Sequence, residues 1–215
     1  MPNPASQLPQ PDQRYLLEKI YQSRHQPDQH RRFSYSSGET VQMQPGKLWV
    51  VDRGVVQLNV LHPSGDEVIV GLVGPSMPFG EGLSCLSSYN AKTLTASELL
   101  CYDLAEIEAS PELSQQLFRP LIRRLSQTEA ILTISSHRRV EDRLRHLLLL
   151  LKQEVGQPTS EGIRLSVKLT HQQLASAIGT SRVTITRLLG KLRSERWVNL
   201  DRDRHLVIAT QAKFS

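Results

Sequence analysis

Cysteine is nearly absent: the 215 residues hold two, Cys85 and Cys101. They do not form a close metal-binding pair, and an iron–sulfur sensor needs about four thiolates, so a single chain cannot supply one. Nothing points to an oxidising compartment, and two reduced, structural cysteines are expected. Long apolar runs are missing too. No stretch reaches the ~18 continuous apolar residues that span a bilayer; the run Leu147 to Leu151 is flanked by Arg145, His146 and Lys152. The opening Met-Pro-Asn-Pro has no apolar signal core, so the cytoplasm is the expected location and no membrane partner is expected. Enzyme signatures are also absent. There is no nucleophile elbow, phosphate-binding glycine loop or metal-ligand cluster, so no catalytic residue, metal or required cofactor is expected.

What is there is a chain that is 39% hydrophobic and 22% charged, with a formal net charge of +5. That composition can bury a core, and the basic balance favours polyanionic partners without identifying one. Residues 1–12 carry four prolines and no apolar period, which reads as a tail. A short helix is expected at Asp12 to Gln22, with Leu16, Leu17 and Ile20 on its apolar side. From Arg32 to Asp103 the pattern is short strands between glycine turns. Val56, Leu58 and Val60 alternate with Gln57 and Asn59, Pro63 to Asp66 is turn chemistry, and Val68 to Val73 resumes an apolar run. Such spacing predicts a β-roll or barrel.

Pro111 opens a long helix that ends near Ser136, since proline is tolerated in a first turn. Pro120 should kink or break it. Leu121, Leu125, Thr128, Leu132 and Ser135 recur at spacings of four and three, a seam suited either to a second copy of the helix or to the chain's own roll. A further helix carries Leu144, Leu147, Leu148 and Leu151 on one face. Gly156 to Gly162 reads as a surface loop, and a domain boundary is expected near His137.

The most informative stretch is Leu169 to Leu200. Thr170 with Gln173 forms a capping box before Leu174. Leu174, Ala177 and Ile178 make a short buried stripe, Gly179 stops the helix, and Thr180 or Ser181 caps the next. Two short helices joined by a glycine turn are a helix-turn-helix. On the second helix Ile185, Leu188, Leu189 and Leu192 face inward, while Val183, Thr186, Arg187 and Gly190 face outward and Arg182 flanks the N-terminus. Outward residues at this position in helix-turn-helix proteins meet base edges. Arg182 and Arg187 can each donate two hydrogen bonds to guanine, and Val183 suits a thymine methyl. Ser181, Thr184 and the helix-start N–H groups can hold phosphate, and Lys191 and Arg193 extend the positive surface. Trp197 to Leu200 and His205 to Ile208, around Asp201 to Arg204, read as a wing. A non-specific architectural DNA binder is the alternative, and the outward arginines on a capped helix argue against it.

These residues resemble the CRP/FNR superfamily of transcription regulators over nearly the whole chain after residue 30. Tyr35-Ser36-Ser37-Gly38-Glu39, Asp52 to Leu58 and Phe79-Gly80-Glu81 look like its cyclic-nucleotide-binding-type β-roll. Pro111-Glu112-Leu113 and Arg123-Arg124-Leu125 look like its dimer helix, and Ser181 to Arg187 looks like its recognition helix, most similar to the NtcA-type nitrogen-control branch. The resemblance implies an α+β chain divided at 1–30 (tail and short helix), 31–109 (β-roll), 110–137 (dimerisation helix) and 138–215 (winged helix-turn-helix). It implies a cytoplasmic homodimer acting, as activator or repressor, on GTA…TAC-like palindromic duplex DNA. RNA polymerase is an implied partner, facing Gly156 to Gly162. It makes Arg182, Val183, Thr186 and Arg187 base contacts, and Thr170, His171, Gln172, Ser181, Thr184 and Lys191 phosphate contacts. Leu121, Leu125, Thr128 and Leu132 become the dimer seam. Glu81, Tyr89, Asn90, Arg124 and Thr128 would surround an effector pocket. That pocket departs from the pattern of cyclic-AMP binders, which carry Arg-Ser-Ala or Arg-Thr-Ala where this chain has Tyr89-Asn90-Ala91. The arginine that would neutralise a cyclic phosphate is lost, so cyclic AMP is not the expected effector. Lone histidines such as His62 read as surface or packed residues.

Overall fold

The computed structural model describes residues 31–61, 67–86 and 89–212. The helix expected at Asp12 to Gln22, the turn Pro63 to Asp66 and His62 lie outside the described residues. The strands of the first half are β1 (Arg31–Tyr35), β2 (Thr40–Val41), β3 (Lys47–Arg53), β4 (Val56–Leu61), β5 (Glu67–Val73), β6 (Pro78–Phe79), β7 (Tyr89–Thr93) and β8 (Ser97–Asp103). They form two four-stranded antiparallel sheets, ordered β1-β8-β3-β6 and β2-β7-β4-β5.

Side-chain alternation explains why the sheets stack. Trp49 and Val51 of β3 and Leu99 of β8 meet Val56 and Leu58 of β4 and Ala91 of β7 in one interior cluster with Met77 and Phe79. Leu48 and Val50, the intervening residues of β3, face the other way and bury against Ile107 and Leu117 of the helices that follow. A strand buried on both faces is why Leu48 to Val51 reads as a continuous apolar run. Gly54 turns the chain into β4 at φ 90°, where an added Cβ would lie 2.2 Å from the Ser97 hydroxyl oxygen.

Helix α1 (Leu104–Ala109) leads into α2 (Pro111–Ser136). Ser110 caps α2 by accepting from the Leu113 N–H at 3.3 Å, with Pro111 in the first turn. The expected break at Pro120 does not occur: the helix runs through it. Pro120 is buried where the helix lies against the outer face of β3, on the side of Val50, and this packing helps to offset the ~3 kcal/mol that an interior proline costs. The same packing shifts the expected seam. Leu121 turns towards the roll beside Leu48 and Val50. The stripe that faces outward is Phe118, Ile122, Leu125 and Leu132, exposed by 63%, 48%, 60% and 72%.

Helix α3 (Val140–Val155) is apolar all round only over its middle, where Leu147 to Leu151 are buried along with Leu144. Gly156 to Gly162 is not an irregular loop, as expected, but the hairpin of β9 (Gly156–Thr159) and β10 (Gly162–Leu165), paired in register from Gly162↔Thr159 to Leu165↔Gly156. The hairpin forms because β10 gains a partner on its other side, β12 (Leu206–Ile208), which the local sequence does not disclose. Helices α4 (His171–Ile178) and α5 (Arg182–Ser194) and strand β11 (Val198–Leu200) complete a sheet ordered β11-β12-β10-β9. The core of this unit reaches Val55 and Leu72 of the roll and Ile134 of α2.

Candidate nucleic-acid interface

The capping box forms as read. The Thr170 hydroxyl accepts from the Gln173 N–H at 3.1 Å, and the Gln173 carbonyl oxygen accepts from the Thr170 N–H at 2.8 Å. Gly179 ends α4 in the left-handed region at φ 63°, ψ 55°. Of the two capping residues left open, Ser181 is the one: its hydroxyl accepts from the Thr184 N–H at 3.2 Å. Ile185, Leu188, Leu189 and Leu192 are buried, which fixes the opposite face of α5 as the exposed one. Arg182, Val183, Thr186, Arg187 and Gly190 all lie there, and Val183 is 78% exposed.

Thr186 is less free than its exposure suggests. Its hydroxyl donates to the Arg182 carbonyl at 3.0 Å. It therefore accepts from His171 Nδ1, 2.7 Å away, so His171 carries a proton on Nδ1 and ties the start of α4 to α5. Thr186 then presents its methyl group and one remaining lone pair outward, not a donor. Ser181 and Thr184 sit together at the helix start, their hydroxyls 2.9 Å apart. Thr170 and Gln172 are exposed near His171. Lys191 stands apart from this group. Its ammonium pairs with Glu141 at 2.6 Å and Glu195 at 3.8 Å, and Arg145 joins the same two carboxylates. Hydrogen bonds from Lys191 and then Arg145 hold the Glu141 carboxyl below its ordinary range.

The wing is β11 and β12, one residue shorter at each start than the sequence suggested. Its base is held by Arg164, which reaches the Asp201 carboxylate and the His205 ring. The hydrogen bond from Arg164 lowers the Asp201 pKa, and burial, aided by Arg164, lowers that of His205.

The expected effector residues separate. Tyr89 lies on the inner face of β7 against the roll core. Asn90, its neighbour, turns to the outer face opposite Asn59, and Glu81 stands exposed on the single 3-10 turn Glu81–Leu83. Of the two residues on α2, Arg124 lies beside Tyr89, and Thr128 bonds Arg124. The Arg124 guanidinium lies close enough to the Tyr89 hydroxyl to act on its charge. It donates to Gln127 Oε1 at 3.1 Å and Thr128 Oγ1 at 3.3 Å. Burial pushes the Tyr89 phenol above its ordinary range, while Arg124 pulls it down. Arg124 fits because residue 71 is glycine: a Cβ there would lie 2.6 Å from its guanidinium.

Three glutamines extend this cluster, and the sequence reading did not single out their contacts. The buried Gln127 amide grips the backbone of β5 at both ends: Leu72 N–H donates to Oε1 at 3.2 Å and Nε2 donates to Leu72 O at 2.7 Å. Gln57 is the cross-strand partner of Leu72. Gln57 accepts from Gln173 Nε2 of α4 at 3.0 Å and donates to Asn59 Oδ1 at 2.7 Å. Only Gly71, a glycine inside the apolar run Val68 to Val73, hinted at a close approach here.

A β-roll joined by one long helix to a capped helix-turn-helix with a wing defines a DNA-reading regulator. Residues 142–213 match the Crp-like helix-turn-helix domain family. The chain is 35% identical over 164 residues to the global nitrogen regulator of Nostoc sp. strain PCC 7120, covering 72% of this chain and 73% of that protein. It is 30% identical over 178 residues to a CRP-like cAMP-activated global transcriptional regulator of Mycobacterium tuberculosis, covering 78% and 79%. Its fold is similar to that of a CRP-family transcriptional regulator from Thermus thermophilus, with a TM-score of 0.70 at 21% identity over 82% of this chain and 91% of that one. The chain belongs to the CRP/FNR family of DNA-binding transcription regulators, with its likeness to the nitrogen-control members pronounced, and it is not an enzyme. Members of this family bind DNA and function as dimers. Among the described residues no helix is long and apolar enough to cross a membrane.

Proposed function

We propose that this protein is a cytoplasmic, sequence-specific activator that binds a two-fold-symmetric duplex site as a homodimer, with half-sites of the GTA…TAC kind. The observation that carries the reading is the exposed face of α5, where Val183 stands between Arg182 and Arg187 on a helix fixed by two caps. Arg182 and Arg187 each donate to guanine N7 and O6, Val183 packs on a thymine methyl, and Thr186 adds its methyl. Thr170, His171, Gln172, Ser181 and Thr184 hold phosphate and set the register. Lys191 reaches phosphate only by leaving Glu141, so it adds least. The stripe Phe118, Ile122, Leu125 and Leu132 has the heptad spacing and exposure that pairing with a second α2 requires. The hairpin β9–β10 is the surface assigned to RNA polymerase.

Cyclic AMP is not the effector in this reading. The cyclic phosphate has no arginine at residue 89, and the Tyr89 side chain fills that place. Selection of genomic DNA by the purified protein, with and without cyclic AMP, tests the whole reading. A palindrome enriched equally under both conditions supports it. Enrichment that is indifferent to sequence and collapses with salt would instead mark an architectural binder.

A further inference from the structure

A cation that meets phosphate holds a protein on every duplex alike, whatever its sequence. Helix α5 carries such a cation beside its exposed face. Lys191 follows Arg187 by four residues, in the last turn, and its side chain is half exposed. Two carboxylates meet it there. Glu141, in the first turn of α3, reaches the ammonium at 2.6 Å, and Glu195, just past the end of α5, stands at 3.8 Å.

An isolated ion pair in water restrains a lysine very little. This pair is not isolated. Arg145, one turn along α3, bonds Glu141 at 2.9 Å and also reaches Glu195. Its guanidinium lies over the Trp197 ring, 5.3 Å from the centroid. Glu141 is therefore positioned against α5 by a residue other than the one it restrains, although Glu141 and Lys191 are 50 residues apart in sequence. Hydrogen bonds from Lys191 and Arg145 hold the Glu141 carboxyl below its ordinary range, so it stays ionised at neutral pH. Two cations and two carboxylates sum to no net charge on this flank of α5.

We infer that Glu141 restrains sequence-independent binding: it holds Lys191 off the DNA backbone and keeps the flank of α5 neutral, leaving affinity to the arginine-bearing face. The inference rests on the sequence-specific reading proposed above. Without the carboxylate, Lys191 keeps only Glu195, which is farther away and already engaged by Arg145, and its ammonium turns to phosphate. One new phosphate contact steepens the salt dependence of binding by ~0.9 in log–log slope per subunit. It raises affinity by at most roughly eightfold per subunit near 0.1 M salt, and does so on any sequence.

The test titrates the full-length chain against its selected operator and a random duplex over a range of salt concentrations. Glu141→Gln, which keeps the shape and removes the charge, binds random duplex several-fold more tightly than wild type and with a steeper salt slope. Its gain on the operator is no larger. A residue needed only for folding would lose affinity when replaced, so the direction of the change separates the two roles. In the Lys191→Ala background the Glu141→Gln gain disappears, because the cation that carries it is gone. Random-duplex binding that is unchanged or weaker in Glu141→Gln overturns the inference. So does a gain confined to the operator, and so does a gain that persists undiminished without Lys191. Should Glu141→Gln not fold, the salt slope of Lys191→Ala alone decides: a fall well short of ~0.9 per subunit supports the restraint, and the full fall overturns it. A wild-type protein that never discriminates operator from random duplex sinks the sequence-specific reading instead, while the random-duplex titrations still decide the role of Glu141.

Discussion

At the scale of single residues, the exposed face of α5 divides its labour by chemistry. Arg187→Ala is expected to cost roughly 1–3 kcal/mol on the selected site and to relax one base position. Equal losses on random duplex, measured by the same titration, would count against base reading. Val183→Glu replaces a methyl-packing surface with an acceptor for cytosine N4, so the selected half-site should change at one position. An unchanged motif would reject that role for Val183. Lys191→Ala tests the opposite expectation. Its charge is already spent on Glu141 and Glu195, so its loss should alter the salt dependence of binding less than the ~0.9 slope of a full phosphate contact. His205 gives a pH signature. Its pKa is lowered from 6.5, by burial first. The unfolded chain therefore binds the proton more readily, and stability is lost as pH falls from about 6.5 through the folded value. Asp201 and Glu141, also lowered, act in the same direction at more acid pH, where protonation removes the Arg164 and Lys191 partnerships. Thermal melts from pH 8 to about 5 should show a falling Tm that His205→Gln flattens.

Elements obey local rules wherever the local sequence contains both partners. The capping box is such a case: Thr170→Ala should lower stability by about 1 kcal/mol in denaturant titration. It should also loosen the Gln173 side chain that reaches Gln57. Helix α2 is the contrary case. Pro120 argues for a break, yet the helix runs on with Pro120 buried on the Val50 side of β3. The same burial turns Leu121 inward and leaves Phe118, Ile122, Leu125 and Leu132 facing out. Leu132→Asp puts a charge into that stripe. Sedimentation should then show monomer at concentrations where wild type is dimeric, with operator affinity reduced and the roll still folded. A persistent dimer would place the seam elsewhere.

At the scale of the whole molecule, roll, long helix and DNA-reading unit share one apolar cluster, in which Val55 and Leu72 sit with Leu174, Ile185 and Leu192. The polar contacts through Gln127, Gln57 and Gln173 lie along this shared surface. The helix-turn-helix and the roll were legible in advance because their signals are local. A cap, a stop glycine and a period of two or of 3.6 each lie within a few residues. The link between them was not legible. Gln127 reads on a helical wheel as an ordinary polar residue, and Gln57 as the polar half of an alternating strand. What makes them contacts is a sequence separation of 55 and 116 residues. The effector cluster was half legible for a related reason. Tyr89, Arg124 and Thr128 converge, but strand alternation sends Asn90 to the other face.

By itself the sequence determined the class of protein. Apolar periodicity, two caps and outward arginines specify a DNA-reading helix pair. Local hydrogen bonding and hydrophobic period are written in neighbouring residues, so they survive without a fold. Only the tertiary structure decided which face of α2 is free, that Pro120 is absorbed, and that Gln173 serves both a helix cap and the roll. It alone brought Arg124 of α2 to Tyr89 of the roll. Each of these depends on which distant surface buries a residue, and burial decides whether a polar side chain must find a partner and which one it finds.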